Sequence, residues 1–270
     1  MEVDRKQGRH FVLVHGACHG AWSWYKVKPR LEAAGHRVTA LDMAASGINR
    51  KQIQEVHSMH EYSQPLLEMM AALPPNEKVI LVGHSLGGLN LAVAMEKFPE
   101  KVSVAVFLTA FIPDTLHRPS YVLDQYVERT PNDAWLDTQF SPYGSSEKPQ
   151  NSMFFGPEFT STKLYQLSPI EDLELIYALA RPASLFLEDL VELKKFSKEG
   201  YGSVTSVFIR CDKDEAIRKE FQQWMIENSG GVKEVMNIKD ADHMAMFSKP
   251  EELCACLLEV AHKYVKLLFY

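Results

Sequence analysis

The chain has 270 residues, a hydrophobic content of 46% and a formal net charge of −6. A chain of this length can bury one large core, and α/β folds of this size often form a single domain. Its 29 basic residues are outnumbered by 35 acidic ones and form no stripe, which argues against the phosphate contacts of nucleic-acid binding. We therefore expect a single domain without a nucleic acid partner.

The N-terminal segment, residues 1–10, is polar and of mixed charge, and no apolar run reaches the length of a membrane span. Four cysteines are present, Cys18, Cys211, Cys254 and Cys256. The last two lie two apart in a helical pattern, so they point to different faces and cannot bridge. Together with the absence of Asn-x-Ser/Thr acceptors, these features predict a protein of the cytosol that has no membrane contact.

Strand and helix signals alternate along both ends of the chain. Apolar, β-branched runs predict strands at residues 11–14, 37–43, 78–82, 102–110, 204–210 and 232–238. Amphipathic stretches predict helices at residues 22–34, 62–73, 87–98, 217–227 and 250 to about 268. The continuous hydrophobicity of the strands is typical of parallel strands covered on both faces. The sequence predicts an α/β fold in which helices flank a mostly parallel central sheet.

The alternation stops in the middle of the chain. Residues 113–201 are rich in Pro, Tyr, Phe and acidic residues and include the polar loop 141–146. We interpret 113–201 as a cap, or lid, inserted into the sheet, with residues 1–112 and 202–270 forming the core.

The clearest motif is Gly83-His84-Ser85-Leu86-Gly87, which follows a predicted strand directly and precedes a predicted helix. A Ser in this position occupies a strained strand-to-helix turn, and the small residues on either side let the backbone bend without a clash. The turn presents the Ser85 hydroxyl above the sheet and the Leu86 N–H to an oxyanion. The motif predicts a serine nucleophile on an α/β-hydrolase fold; a Gly-rich turn with an incidental Ser is the alternative.

Two nucleotide-binding interpretations fail on the same segment. Gly83 and Gly88 have the spacing of a phosphate loop, but Leu89 occupies the position of its essential Lys. Ser85 occupies the second Gly of a dinucleotide fingerprint. We therefore expect no nucleotide cofactor.

The loop after the first strand, His15-Gly16-Ala17, lies where this fold places a second oxyanion donor, and Ala17 is the predicted donor. Two backbone N–H groups would then stabilise the tetrahedral intermediate. A plain strand end is the alternative. His15, Cys18 and His19 together resemble a metal-binding group, but they share one turn and no further ligand cluster accompanies them, so we predict no metal site.

On this fold the catalytic partners follow the serine in the order acid, then His. His243 follows the last predicted strand, and Asp212 and Asp214 both follow the strand before it, so spacing alone leaves the acid open. His243 would accept the serine proton through one ring nitrogen, while the acid holds the other N–H and sets the tautomer. Asp240 and Asp242, in the turn before His243, are interpreted as solvated.

At this point the chain resembles the plant methylesterases, a family of α/β-hydrolases related to the hydroxynitrile lyases. The resemblance covers almost the whole chain. It is carried by FVLVHGACHG at 11–20, LDMAASG at 41–47, the serine motif, WLDTQF at 135–140, SMFFGP at 152–157 and ADHMAM at 241–246. The family pattern places the acid on Asp214, and the resemblance implies a triad of Ser85, His243 and Asp214, no cofactor and a possible homodimer.

Three positions separate esterases from lyases in this family. The lyases carry Thr where this chain has Gly16, an acidic residue where it has His84, and Lys where it has Met244. The Lys assists departing cyanide as a cation, and the Thr blocks part of the oxyanion hole. Because Gly16 and Met244 leave room for an ester carbonyl and offer no charge, the resemblance favours ester hydrolysis.

The same resemblance implies a pocket for the acyl group, lined largely from the cap. Its predicted lining residues are Gly16, Phe111, Tyr126, Trp135, Phe140, Met153, Phe155, Leu185 and Met244. Apolar walls suit a flat aromatic acid, although such residues also form ordinary small cores. Thr109, Ile112 and Ile176 depart from the family pattern beside the cap.

The implied reaction is hydrolysis of methyl salicylate to salicylate and methanol by a serine carboxylesterase. Methyl jasmonate and methyl indole acetate differ from it chiefly in acyl shape and stay open as substrates. A hydroxynitrile lyase and a hormone receptor without turnover are the remaining alternatives.

Overall fold

The computed structural model describes residues 8–264, and within this range the chain forms nine strands. They are β1 His10–Val14, β2 Arg37–Leu41, β3 Val79–His84, β4 Val102–Leu108, β5 Gln139–Gly144, β6 Pro149–Phe154, β7 Ala183–Ser184, β8 Ser206–Cys211 and β9 Val232–Ile238. Six of them form one parallel sheet in the order β2-β1-β3-β4-β8-β9. The predicted α/β class with a parallel central sheet is confirmed.

The inner strands of this sheet are buried and the edge strands are not. Every residue of β1 and β3 is buried, whereas β9 alternates between exposed and half-buried residues until Ile238. Along the inner strands successive side chains pack into two separate cores, Leu81 and Phe107 on one face and Val82 and Val106 on the other. Two covered faces explain the continuous hydrophobicity that the sequence shows at these strands.

The helices of the described residues connect and cover these strands. They are α1 Val27–Ala33, α2 Met59–Tyr62, α3 Gln64–Ala72, α4 Gly87–Lys97, α5 Tyr121–Arg129, α6 Pro157–Phe159, α7 Ile170–Leu179, α8 Leu187–Leu190, α9 Lys219–Ser229, α10 Ala245–Ser248 and α11 Pro250–Tyr264. The predicted last helix is present as α11, and its final part, 265–268, lies outside the described residues. No helix within 8–264 has the length and hydropathy to cross a bilayer.

Two predicted helices are each divided in the structure. The stretch 22–34 is a 3₁₀ turn, Ala21–Trp24, followed by α1, and the stretch 62–73 is α2 and α3 separated at Ser63. Pro65 lies in the first turn of α3, where its missing N–H is tolerated, but its ring excludes a continuous helix through the preceding residues. The hydrophobic period continues across the break, so the sequence pattern does not register it.

The region between β4 and β8 departs from the strand-helix alternation. It holds α5 to α8 and a separate antiparallel sheet in the order β5-β6-β7. We keep the name cap for residues 113–201, and its exact limits stay a prediction.

The strand order changes direction between two neighbouring strands of the main sheet. From β1 the chain goes outward to β2 and then returns to the other side of β1 to form β3. Loops that leave the carboxyl ends of β1 and β3 therefore diverge, which opens a crevice where α/β sheets bind ligands. His15-Gly16 leaves β1 at this crevice, and Ser85 leaves β3 beside it.

Candidate active site

Ser85 lies at the end of β3 in a strained backbone conformation. Its φ of 55° is in the left-handed region, which a non-glycine residue adopts at an energetic cost. Three backbone hydrogen bonds hold it there: its N–H donates to Leu108 (3.3 Å), and its carbonyl accepts from Gly88 (3.1 Å) and Phe111 (3.0 Å). The surrounding backbone thus holds the strained turn that presents the side chain.

The two glycines of the motif are required by close packing. A Cβ on Gly83 would lie 1.9 Å from Leu91 Cδ1, and one on Gly87 would lie 2.8 Å from the carbonyl oxygen of His15. The β1 loop and the start of α4 therefore approach Ser85 closely, as the motif predicts.

The His243 ring is held by a buried carboxylate. His243 Nδ1 lies 2.7 Å from Asp214 Oδ2, which also accepts from the Thr109 hydroxyl at 2.5 Å. Asp214 Oδ1 accepts from the backbone N–H groups of Ala216 and Ile217, both at 2.8 Å. Because a carboxylate only accepts, His243 donates through Nδ1, which leaves Nε2 as the lone-pair nitrogen that a general base needs.

The neighbouring acidic residue has other partners. Asp212 lies 3.5 Å from Arg210 Nε and 3.6 Å from Lys219 Nζ, so the geometry pairs Asp214, and not Asp212, with His243. Sequence reasoning did not identify Thr109 as a site residue. The available signal was its place at the carboxyl end of β4, next to the strand that carries Ser85.

Asp242 was interpreted as a solvated turn residue, and that interpretation is wrong. Its side chain is fully buried and accepts hydrogen bonds from the Ser168 hydroxyl of the cap (2.8 Å), the Met244 N–H (3.0 Å) and the Ser248 hydroxyl (2.7 Å). Burial raises the pKa of the Asp242 carboxyl. Asp242 ties the cap to the loop that carries His243, while Asp240 in the same turn is exposed.

The predicted oxyanion donors lie at the wall of one cavity together with the predicted catalytic residues. Ala17, Leu86, Ser85 and His243 all line it. Within residues 8–264, the backbone N–H groups of Ala17 and Leu86 have no hydrogen-bond acceptor, so both are available to a ligand. A Cβ on Gly16 would lie 2.8 Å from Ser85 Cβ and 3.3 Å from its Oγ, so a larger residue at this position would require Ser85 or the loop to shift.

The remaining walls of this cavity are apolar. Predicted pocket residues that line it are Phe111, Tyr126, Trp135, Met153, Phe155 and Leu185. Walls that the sequence did not predict are Phe159, Leu164, Ala216 and Ile217. Phe140 is 49% exposed and lies in an outer groove, and Met244 is buried in the core and is not among the lining residues. No Asp, Glu, Lys or Arg side chain lines this cavity within the described residues.

The cavity is small, with a volume of about 30 Å³. A cavity that accepts benzene has a volume of about 150 Å³, so the walls must move before an aromatic acyl group fits. An outer groove of about 300 Å³ shares Trp135, Met153 and Leu185 with the cavity. These three cap side chains therefore lie between the cavity and this outer groove.

His84 contacts His243 through one hydrogen bond and ring packing. Its Nε2 lies 2.8 Å from the His243 carbonyl oxygen, and the two ring centroids are 4.6 Å apart. Burial lowers the pKa of His84 well below its usual value, so the ring is neutral and donates through Nε2. The neutral His84 ring therefore places no positive charge beside His243.

The loop after β1 shows no metal-binding arrangement. No group of three or more His, Cys, Asp or Glu side chains within residues 8–264 is arranged to hold a metal ion. Burial raises the pKa of the Cys18 thiol to about 12, so this thiol is protonated and does not act as a nucleophile at neutral pH.

Comparison with known proteins agrees with this geometry. A family model for the α/β hydrolase fold matches residues 9–250, so the chain is an α/β-hydrolase. It is 61% identical over 259 residues to salicylic acid-binding protein 2 of Nicotiana tabacum, covering 96% of this chain and 99% of that protein. It is 58% identical over 263 residues to methylesterase 1 of Arabidopsis thaliana, covering 97% and 99%.

A solved structure is also similar along almost its whole length. The crystal structure of polyneuridine aldehyde esterase superposes with a TM-score of 0.92 at 52% identity, covering 94% of this chain and all of that one. The chain belongs to the plant methylesterase family and has the α/β-hydrolase fold.

Proposed function

We propose that the protein is a serine carboxylesterase that hydrolyses methyl esters of plant hormones, with methyl salicylate as its preferred substrate. The observation that carries this proposal is the hydrogen-bonded His243–Asp214 pair, whose His243 lines the same uncharged cavity as Ser85. The cavity walls carry no charged side chain, which suits a neutral methyl ester.

The reaction follows from the roles of these groups. Ser85 Oγ attacks the ester carbonyl while His243 Nε2 takes its proton, and the N–H groups of Ala17 and Leu86 stabilise the resulting oxyanion. His243 then returns the proton to the departing methanol oxygen, leaving an acyl group on Ser85. Water attacks the acyl carbon with His243 as base, which frees the carboxylic acid and restores Ser85.

The choice of substrate rests on the shape of the walls and on one relative. Trp135, Phe155 and Phe159 offer flat ring surfaces to an aromatic acyl group. The name of salicylic acid-binding protein 2, at 61% identity, supports salicylate as the product that fits. A lyase is disfavoured because a cation that would assist cyanide is missing from the residues that line the cavity within 8–264.

We further propose a cytosolic enzyme that binds its ester substrate and the acid product salicylate, without nucleic acid or membrane partners. All four cysteines are free thiols, which suits a reducing compartment. A homodimer stays a prediction, and light scattering of the purified protein measures it directly.

The test is turnover by the purified protein and its Ser85→Ala variant. Each is incubated with methyl salicylate, methyl jasmonate, methyl indole acetate and mandelonitrile, and the release of acid or cyanide is followed. We expect Ser85-dependent release of salicylate with the highest kcat/KM of the set.

The other outcomes separate the alternatives. Faster acid release from another ester would overturn the substrate and keep the mechanism. Cyanide release alone would overturn the esterase proposal in favour of a lyase, and binding of salicylate without turnover of any ester would indicate a receptor.

A further inference from the structure

Two buried histidines on the loop after β1 have no part in the proposed proton transfers. His15 and His19 are both buried, at 0% and 2% exposure. Each ring contacts a backbone carbonyl of the same loop: His15 Nδ1 lies 2.8 Å from the Gly16 oxygen, and His19 Nδ1 lies 2.7 Å from the Ala17 oxygen. These two carbonyls belong to the peptide groups on either side of Ala17.

The hydrogen bonds of the two ring nitrogens define the tautomer of each histidine. A carbonyl only accepts, so each Nδ1 carries the proton and donates it. His15 Nε2 accepts from the Met43 N–H at 3.1 Å, and His19 Nε2 accepts from the Tyr165 hydroxyl at 2.8 Å. Burial lowers the pKa of both rings, that of His19 to about 3. Both rings are therefore neutral and held from two sides.

The His15 contact bears directly on the predicted oxyanion donor. The Gly16 carbonyl and the Ala17 N–H belong to one planar peptide group, so holding the oxygen also sets the direction of the N–H. The backbone N–H of His19 approaches the same Gly16 oxygen at 3.4 Å. Hydrogen bonds accepted by a peptide carbonyl also polarise the group and make its N–H a stronger donor.

This loop needs such support because its own backbone is permissive. Gly16 lacks a side chain that would restrict rotation, and Cys18 has a φ of 62° in the left-handed region. An oxyanion donor is effective only when it is preorganised toward the developing charge. Side chains on either side of the Ala17 peptide supply that constraint here.

We propose that His15 and His19 are positioning residues for the oxyanion hole, which hold the two peptide groups beside Ala17 so that its N–H faces the tetrahedral intermediate on Ser85. This inference rests on the proposed esterase mechanism and is independent of which hormone ester is preferred. It also assigns a role to the His15-Cys18-His19 cluster other than metal binding.

The test compares two substitutions of His15 that each place a side-chain amide at the position of one of its two ring nitrogens. The Asn side chain in His15→Asn keeps a donor near the Nδ1 position, while the Gln side chain in His15→Gln reaches the Nε2 position and loses that donor. Hydrolysis of p-nitrophenyl acetate reports kcat and KM without any hormone ester. The control is His36→Gln, a half-buried histidine that accepts from the Arg9 N–H away from the cavity.

Inhibitor binding separates positioning from general damage. The Ser85 hydroxyl adds to the carbonyl carbon of 2,2,2-trifluoroacetophenone and forms a tetrahedral oxyanion. Acetophenone has the same ring but binds as an unreacted ketone. We expect His15→Gln to lower kcat and the affinity for the trifluoro ketone by about 10-fold to 100-fold. KM and the affinity for acetophenone stay unchanged, and His15→Asn stays within about threefold of the wild type.

Equal losses in His15→Asn and His15→Gln, or a parallel loss of acetophenone affinity, overturn the proposal. If His15→Gln does not fold, Tyr165→Phe decides, because it removes only the hydroxyl that holds His19. It is expected to lower kcat and trifluoro ketone affinity together by about threefold, and an unchanged kcat overturns the proposal. Hydrolysis of p-nitrophenyl acetate that persists fully in Ser85→Ala would instead overturn the esterase mechanism itself.

Discussion

The carboxyl edge of the main sheet and the cap line the same cavity, but they are held together by different forces. At the sheet edge, Asp214 accepts four hydrogen bonds, two from the side chains of the distant residues Thr109 and His243 and two from the backbone N–H groups of Ala216 and Ile217. In the cap, Trp135 packs its ring against Tyr126, Phe140 and Phe159 at centroid distances of 5.4–5.9 Å. Directional hydrogen bonds set atomic positions closely, whereas ring packing tolerates changes of shape.

This difference teaches where the chemistry and the selectivity reside. Reaction geometry has to be maintained within a fraction of an ångström, so it depends on the hydrogen-bonded sheet edge. Substrate shape can be accommodated by apolar side chains that move, and the 30 Å³ cavity requires them to move. Substitutions at the sheet edge should therefore reduce kcat strongly, while substitutions in the cap should change the preference among esters modestly.

The largest effect is expected at the carboxylate that holds His243. Asp214→Asn places an amide beside Nδ1 and favours the wrong imidazole tautomer, so kcat should fall by about 10³- to 10⁴-fold. Asp212→Asn is the matched control, because Asp212 contacts only Arg210 and Lys219 among the ionic groups, and it should stay within about threefold. Steady-state hydrolysis of methyl salicylate measures kcat for both variants. Similar losses of kcat in the two would contradict the assignment of Asp214, and not Asp212, as the partner of His243.

A methyl group on the β1 loop should have the next largest effect. Gly16→Ala places a Cβ 2.8 Å from Ser85 Cβ and 3.3 Å from its Oγ, which displaces the nucleophile or the oxyanion loop. We expect kcat to fall by about 10²-fold, as a displacement of about 1 Å does. Gly231→Ala is the control, since its Cβ would meet nothing nearer than 4.0 Å. An unaffected Gly16→Ala enzyme would contradict the close packing at this edge.

Acid should destabilise the sheet edge through His19. Burial lowers the pKa of His19 from 6.5 to about 3, so below pH 6.5 the unfolded chain binds a proton that the folded chain excludes. The stability contributed by the neutral ring is present above pH 6.5 and is lost as the pH falls toward 3. Between pH 7 and 5 the loss is about 2 kcal/mol, or about 30-fold in the unfolding equilibrium.

Urea unfolding of the wild type and of His19→Asn at pH 7 and pH 5 measures this linkage. Asn does not titrate, so the difference in unfolding free energy between the two proteins should shrink by about 2 kcal/mol over this interval. A difference that is constant with pH would show that His19 is not the group that titrates.

The smallest effect is expected in the cap. Trp135→Phe widens the boundary between the cavity and the outer groove, so kcat/KM for methyl jasmonate should rise relative to methyl salicylate by at most about tenfold. Phe140→Leu is the control, because Phe140 is half exposed in the outer groove. A loss of activity toward both esters equally would show that Trp135 supports the catalytic geometry instead of the pocket shape.

Much of the fold could be predicted because parallel strands and amphipathic helices leave periodic patterns in the sequence. All six predicted core strands are present within a few residues of their predicted bounds. The pattern did not register the break at Ser63, since hydrophobic periodicity is insensitive to a local loss of hydrogen bonds near Pro65. It also did not predict the small antiparallel sheet of the cap, whose strand β5 is largely exposed and therefore lacks an apolar pattern.

The candidate site divides in the same way. The sequence by itself determined the Gly83–Gly87 turn, the order of Ser85 and His243 along the chain and the loop after β1, because these features depend on local backbone constraints. Residue spacing left the acid open and the family resemblance placed it on Asp214, which contacts His243 in the structure. Only the tertiary structure decided that Thr109 joins this pair and that Asp242 is buried against the cap. Those contacts join residues that are far apart in the chain, so their geometry depends on how the strands and the cap pack, which no local pattern encodes.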